Sequence, residues 1–182
     1  IAMDRYDGEA VWNIKTELSF PFVAVGKDKF FVFEGLLQDL YANRQRKGVV
    51  PAAAPEKYLA AYEVLSGKRL WRKPTDRIVT WLAYSQPNDV LIASDKAGIE
   101  AWRSSGGTKL WSKQSDGVGF RGHPENLWDK VIIWNDRIID QRGPGKSYNI
   151  MTGEPIVQLH PLTGSETDWA FTKVGHHCNY AI

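Results

Sequence analysis

The chain has 182 residues, enough for one sizeable domain with a hydrophobic core. Its 23 Lys and Arg nearly balance 21 Asp and Glu, which excludes a strong field toward nucleic acid or anionic lipid; only "NRQRKG" (Asn43 to Gly48) is locally basic, and it reads as a solvated loop. The single cysteine, Cys178, excludes an intramolecular disulfide, and no run approaches the roughly 18 apolar residues of a transmembrane segment.

In chain order, "IAMDRYDGEA" has neither the basic start nor the apolar core of a signal peptide, and it lacks an initiator Met, so a leader outside this sequence stays open. "AMDRYDGEAVW" (Ala2 to Trp12) reads as a hairpin, with Gly8 in the turn and the apolar pair Val11 and Trp12 in the returning strand. "VAVGKDKFFVF" (Val23 to Phe33) reads as two strands around "GKDK". An insertion follows at about 35–57, where Leu36, Leu37, Leu40 and Tyr41 mark one face of a short helix and "VVPAAAP" is extended. "AYEVLSGKRLW" (Ala61 to Trp71) has helix propensity, but it matches the first hairpin position for position and is therefore read as strands. "DVLIASDKAGIEAW" (Asp89 to Trp102), "AWRSSGGTKLW" (Ala101 to Trp111), "KVIIWNDRIIDQRG" (Lys130 to Gly143) and "SYNIMTGEPIV" (Ser147 to Val157) continue the succession of antiparallel strands.

Four of these segments are copies of one pattern. A small residue (Ala2, Ala61, Ala101, Ser147) stands six before a glycine (Gly8, Gly67, Gly107, Gly153), and Trp12, Trp71, Trp111 or Val157 stands four after it. The later intervals lie near the roughly 40-residue, four-strand period of propeller blades, and the first is longer by about twenty residues, which the insertion accounts for. The expected fold is all-β and β-propeller-like, with about three and a half to four blades of four-stranded antiparallel sheet in one partial domain spanning 1–182. A ring of seven or eight such blades needs about 300 residues or more. The final "GHHCNYAI" reads as the first strand of a further blade, so the expectation is part of a longer propeller or one completed by self-association.

The pattern A-x-D-x-x-(T/S/D)-G-x-x-x-W resembles the tryptophan-docking motif of pyrroloquinoline-quinone (PQQ)-type β-propeller repeats. Ala2, Asp4, Gly8 and Trp12 match it best. Ala61, Ser66, Gly67 and Trp71 keep it with Glu63 at the acidic position, while Ala101, Gly107 and Trp111 keep it with Arg103 and Gly106 departing. In the last copy Thr152 and Gly153 remain, and Ser147, Asn149 and Val157 depart. The family includes quinoprotein alcohol dehydrogenases and an outer-membrane assembly lipoprotein that binds proteins without a cofactor. The resemblance implies a periplasmic or cell-envelope setting, and a Trp lodged between neighbouring blades on the backbone of the adjoining motif. Such burial contributes a few kcal/mol, at ~25 cal/mol per Å² over roughly 150–250 Å².

No pattern in the chain carries chemistry strongly. The quinone enzymes need calcium, a catalytic Asp and commonly a disulfide between adjacent cysteines; Cys178 is alone, and Asp4, Glu63, Asp89, Asp95, Asp129 and Asp140 fit strand ends and turns. "HHC" (His176, His177, Cys178) has ligand chemistry, but alternation along a strand lets only His176 and Cys178 share a side, and His123 and His160 are isolated. "GPGKS" (Gly143 to Ser147) ends like a P-loop but has Asp140 where that loop needs glycine, and it leads into a strand. Trp128 and Trp169 fall outside the docking positions and read as core.

No catalytic residue, no cofactor-binding residue and no metal ligand is therefore expected in this chain. The expected function is a non-catalytic propeller scaffold or binding module for a protein partner, with the insertion as the first place for a contact. The alternative is a fragment of a PQQ-dependent quinoprotein alcohol dehydrogenase, for which PQQ and calcium would bind through blades outside this chain.

Overall fold

Middle strands of stacked sheets are covered on both sides, so they are buried along nearly their whole length, whereas outer strands bury only what faces a neighbour. Residues 90–95 and 98–103 show the first behaviour and 69–74 the second, where only Trp71 is buried in "RLWRKP". The structure, a computed structural model, describes residues 1–14, 23–35, 46–48, 56–95, 97–114, 131–140 and 146–156.

The described elements form four antiparallel sheets in chain order. The first sheet is the hairpin β1 (Ala2–Met3) and β2 (Ala10–Trp12). The second is the meander β3 (Val23–Val25), β4 (Lys29–Glu34), β5 (Tyr58–Glu63) and β6 (Arg69–Pro74). The third repeats it with β7 (Trp81–Ser85), β8 (Val90–Asp95), β9 (Gly98–Arg103) and β10 (Thr108–Gln114). The fourth holds β11 (Val131–Trp134), β12 (Arg137–Asp140) and β13 (Lys146–Asn149), and Pro155 forms an isolated antiparallel bridge to Tyr148. The fold is all-β and propeller-like, a succession of meander blades.

The strand reading of Ala61 to Trp71 holds: β5 and β6 pair from Tyr58↔Pro74 to Tyr62↔Arg69. Tertiary pairing overrides the local helix propensity, because β5 lies between β4 and β6 and buries Leu59, Ala60 and Ala61 completely. The helix expected around Leu36, Leu37, Leu40 and Tyr41 lies outside the described residues, as do Trp128, Asp129 and Trp169.

Two seams make up most of the core. Phe31, Phe33, Leu59, Ala61 and Trp71 of the second sheet meet Leu82, Leu91, Ala93 and Trp102 of the third, with Val79 from the connection. Val90, Ile92, Ile99 and Ala101, on the other side of the third sheet, meet Val131, Ile138 and Tyr148 of the fourth and Ile150 beyond it. The strict period of two along β8 thus divides Leu91 and Ala93 from Val90 and Ile92 and gives each sheet two apolar sides.

Candidate functional site

The four glycine turns share one construction. Each glycine N–H donates to the carbonyl four residues back, Gly8 to Asp4 at 3.0 Å, Gly67 to Glu63 at 2.9 Å, Gly107 to Arg103 at 2.8 Å and Gly153 to Asn149 at 2.8 Å. Closing that turn requires a left-handed backbone, and the four φ angles lie between 67° and 75°.

Each tryptophan docks on the following turn. The indole N–H of Trp12 donates to Val64 O at 2.8 Å, that of Trp71 to Ser104 O at 2.6 Å, and that of Trp111 to Ile150 O at 3.0 Å. In every case the acceptor stands three residues before the glycine, and the six-membered ring covers the glycine itself. A Cβ placed on Gly67, Gly107 or Gly153 would sit 2.7, 2.8 and 2.7 Å from the indole Cδ2 of Trp12, Trp71 and Trp111. Glycine is thus required twice over, for its backbone angle and for its bare upper face.

The apolar pair ending each motif divides its labour. Trp12, Trp71 and Trp111 stand opposite Ala2, Ala61 and Ala101, while the pairing register slips at the residue before each Trp. Val11, Leu70 and Leu110 are the extra residues of three β-bulges, and Val11 and Leu70 are exposed. A bulge raises local twist and re-aims the next side chain, here the indole. Two residues beyond Trp71 and Trp111 a lysine extends the dock: the stem of Lys73 would meet a Cβ on Gly107 at 2.9 Å, and Lys113 Nζ donates to Gly153 O at 3.0 Å. The Trp-x-Lys spacing in "WRK" and "WSK" was the available signal.

The acidic candidates belong to turns and strand ends. Asp4 Oδ1 accepts the N–H of Tyr6 at 2.7 Å, and Asn149 Oδ1 does the same for Met151 at 2.9 Å and Thr152 at 3.1 Å, so the departure from Asp costs the fourth copy nothing in its turn. Glu63 accepts from Ser66 Oγ. Asp89, with φ of 53°, accepts from Ser104 Oγ and lies 3.7 Å from Lys29 of the preceding sheet. Burial pushes its carboxyl pKa up, but the hydrogen bonds from Ser104 and Ser105 and the charge of Lys29 outweigh that and hold it below the usual value. Asp140 is buried at the end of β12. Lys146 and Ser147 of "GPGKS" lie in β13, so the segment leads into a strand. Among the described residues no three His, Cys, Asp or Glu side chains gather around one point, and His123, His160, His176, His177 and Cys178 lie outside those residues.

The two ends of the sheets differ in character. The docking turns and the tight turns after β3, β7 and β11 share one end, where Lys27 N donates to Gln86 Oε1 at 3.0 Å and Asn88 Nδ2 to Asn135 O at 2.8 Å, linking successive sheets. At the opposite end the chain leaves β4 after Glu34 and re-enters β5 at Tyr58, and these two residues are register partners. There Glu34 accepts from Tyr62 OH at 2.5 Å and from Arg72 Nε at 2.7 Å, and the Arg72 guanidinium lies 3.4 Å over the Tyr58 ring. Burial, then the hydrogen bond to Glu34 and its charge, push the Tyr62 phenol to about 12, against the opposing charges of Arg69 and Arg72. Alongside, Lys57 Nζ donates to Asp76 O at 2.6 Å, and Arg77 pairs with Asp95 at 2.9 Å and Glu100 at 3.1 Å.

No family model matches the sequence, and no curated protein matches it. Among solved structures the chain is similar to BamB from Moraxella catarrhalis, at 13% identity over 59% of this chain and 34% of that one, with a TM-score of 0.43. It is also similar to a europium-containing methanol dehydrogenase (12% identity, 78% and 26%, TM-score 0.46) and to HIRA (11% identity, 82% and 42%, TM-score 0.47). The chain spans only 26% to 42% of these structures. At such scores the fold rests on the sheet topology itself, and the activities of those proteins are not carried over.

Proposed function

We propose that the chain is a non-catalytic propeller scaffold within one domain spanning 1–182, and that it presents the 35–57 insertion to a protein partner. The observation that carries this reading is the brace at the base of the insertion. Glu34 and Tyr58 are register partners, and Arg72 is bonded to one and stacked on the other, so both ends of the segment leave a rigid platform. Among the described residues, Asp4 and Glu63 serve turns and Asp89 links two sheets through Lys29. A cell-envelope setting belongs to the same proposal and is supported by the motif resemblance.

The test is site-specific photocrosslinking in the intact parent protein. A crosslinker at Leu40 should give one discrete protein adduct, whereas one at Leu65, an exposed turn residue on the opposite end, should give none. Absence of any adduct at Leu40 would overturn the partner role. The parent protein incubated with PQQ and calcium should develop no quinone absorbance and no dye-linked alcohol oxidation; uptake with turnover would replace the scaffold reading by the quinoprotein one.

A further inference from the structure

Two buried polar atoms on one side of β9, Glu100 Oε2 and Trp102 Nε1, have no hydrogen-bond partner among the described residues. Both residues face the seam between the second and third sheets, since Trp102 belongs to its core and Glu100 stands opposite Ala93 of that core. They are almost fully buried, with the Glu100 side chain 5% and Trp102 4% exposed. Being two apart on a strand they project in parallel, roughly 6 to 7 Å apart at their bases.

The chemistry of the two groups and the charges around them restrict what fits between. Trp102 offers a donor only and needs an acceptor; a carboxylate oxygen accepts only and needs a donor. The nearby charges balance, Arg77 and Lys109 against Asp95 and Glu100, with Arg77 at 3.1 Å and Lys109 at 2.8 Å from Glu100 Oε1. An added cation could not accept from the indole, and an added anion would face the carboxylate. A neutral molecule that both donates and accepts satisfies the pair, and enclosure limits it to something very small.

We propose that Glu100 and Trp102 form a built-in site for one water molecule, a structural component of the seam that accepts from Trp102 Nε1–H and donates to Glu100 Oε2. Lys109 supplies the wall and a further donor. Its ammonium lies 4.9 Å from the Trp102 ring centroid and 2.8 Å from Glu100 Oε1, beside both groups. Two otherwise unsatisfied polar groups and a third donor give the water about three bonds, the usual number for a buried water.

The test uses the full chain with nitrogen-15-labelled tryptophan, the Trp102 indole signal being assigned by its loss in Trp102→Phe. The expected result is a cross-relaxation peak between that indole proton and water, with the sign of a molecule resident for longer than nanoseconds, together with a crystallographic water within hydrogen-bond distance of Nε1 and Oε2. The crystal structure decides alone should the variant not fold. A seam that is dry, or a direct bond from Nε1 to Oε2 or to another protein group, would overturn the proposal.

Discussion

The indole of Trp71 covers Gly107 of the next sheet and donates from Nε1 to Ser104 O at 2.6 Å, so one side chain reads both the shape and the polarity of its neighbour's turn. The same relation joins Trp12 to Gly67 and Trp111 to Gly153.

Gly107→Ala should therefore be costly, because the new methyl meets Trp71 at 2.8 Å on a backbone with φ of 67°. Left-handed strain and overpacking together predict a loss of about 2–4 kcal/mol in urea unfolding. Gly106→Ala, one residue away and open to solvent, should change stability by no more than about 0.5 kcal/mol. Equal effects at the two positions would remove the steric account of the motif.

Trp71→Phe keeps an aromatic ring but withdraws the donor from a fully buried residue, Ser104. The lost bond and the volume change predict about 2–3 kcal/mol of destabilisation. Trp12→Phe should cost less, since Trp12 is half-buried, even though it also stacks on Phe30 at 5.1 Å. Denaturation of the two variants side by side checks the order.

Burial and Glu34 push the Tyr62 phenol up to about 12 in the fold, from an ordinary value near 10, so between those values the unfolded chain releases a proton that the native one retains. Stability from this group is intact below pH 10 and is lost as pH rises toward 12, by about 2–3 kcal/mol at ~1.4 kcal/mol per unit. Ultraviolet titration should show one phenol ionising last, and Tyr62→Phe should abolish that step and flatten the alkaline loss of stability.

Replacing residues 36–55 by a short glycine-containing turn should leave the thermal midpoint within a few degrees. Glu34 and Tyr58 are already partners across β4 and β5, and shortening a loop between fixed ends changes closure entropy only slowly. Loss of the partner adduct together with retained stability is the expected pairing of results; unfolding would show that the segment belongs to the core.

The docking turns were legible because few residues meet their demands. A left-handed angle beneath a flat ring leaves glycine as the choice at 67, 107 and 153, and a large planar donor four residues on leaves tryptophan in three copies, so spacing located every turn before any pairing was known. The bulges were not legible: Val11 and Trp12 look like one apolar pair, and only the strand opposite reveals that the first is extra and exposed while the second faces Ala2. Asn149 looked like a departure from the motif, yet an amide oxygen accepts turn N–H groups as well as a carboxylate does.

By itself the sequence determined the repeat, the all-β class and the place of each turn, because backbone sterics and the period of a strand act over neighbouring residues. Tertiary structure alone decided that Arg77 meets Glu100, that Glu34 joins Tyr62 and Arg72, and that Glu100 and Trp102 share a closed seam. Arg77 and Glu100, like Glu34, Tyr62 and Arg72, stand far apart in the chain and meet only through the antiparallel return of successive strands, whereas Glu100 and Trp102 are two apart on β9 and it is the packing of the neighbouring sheet that encloses them.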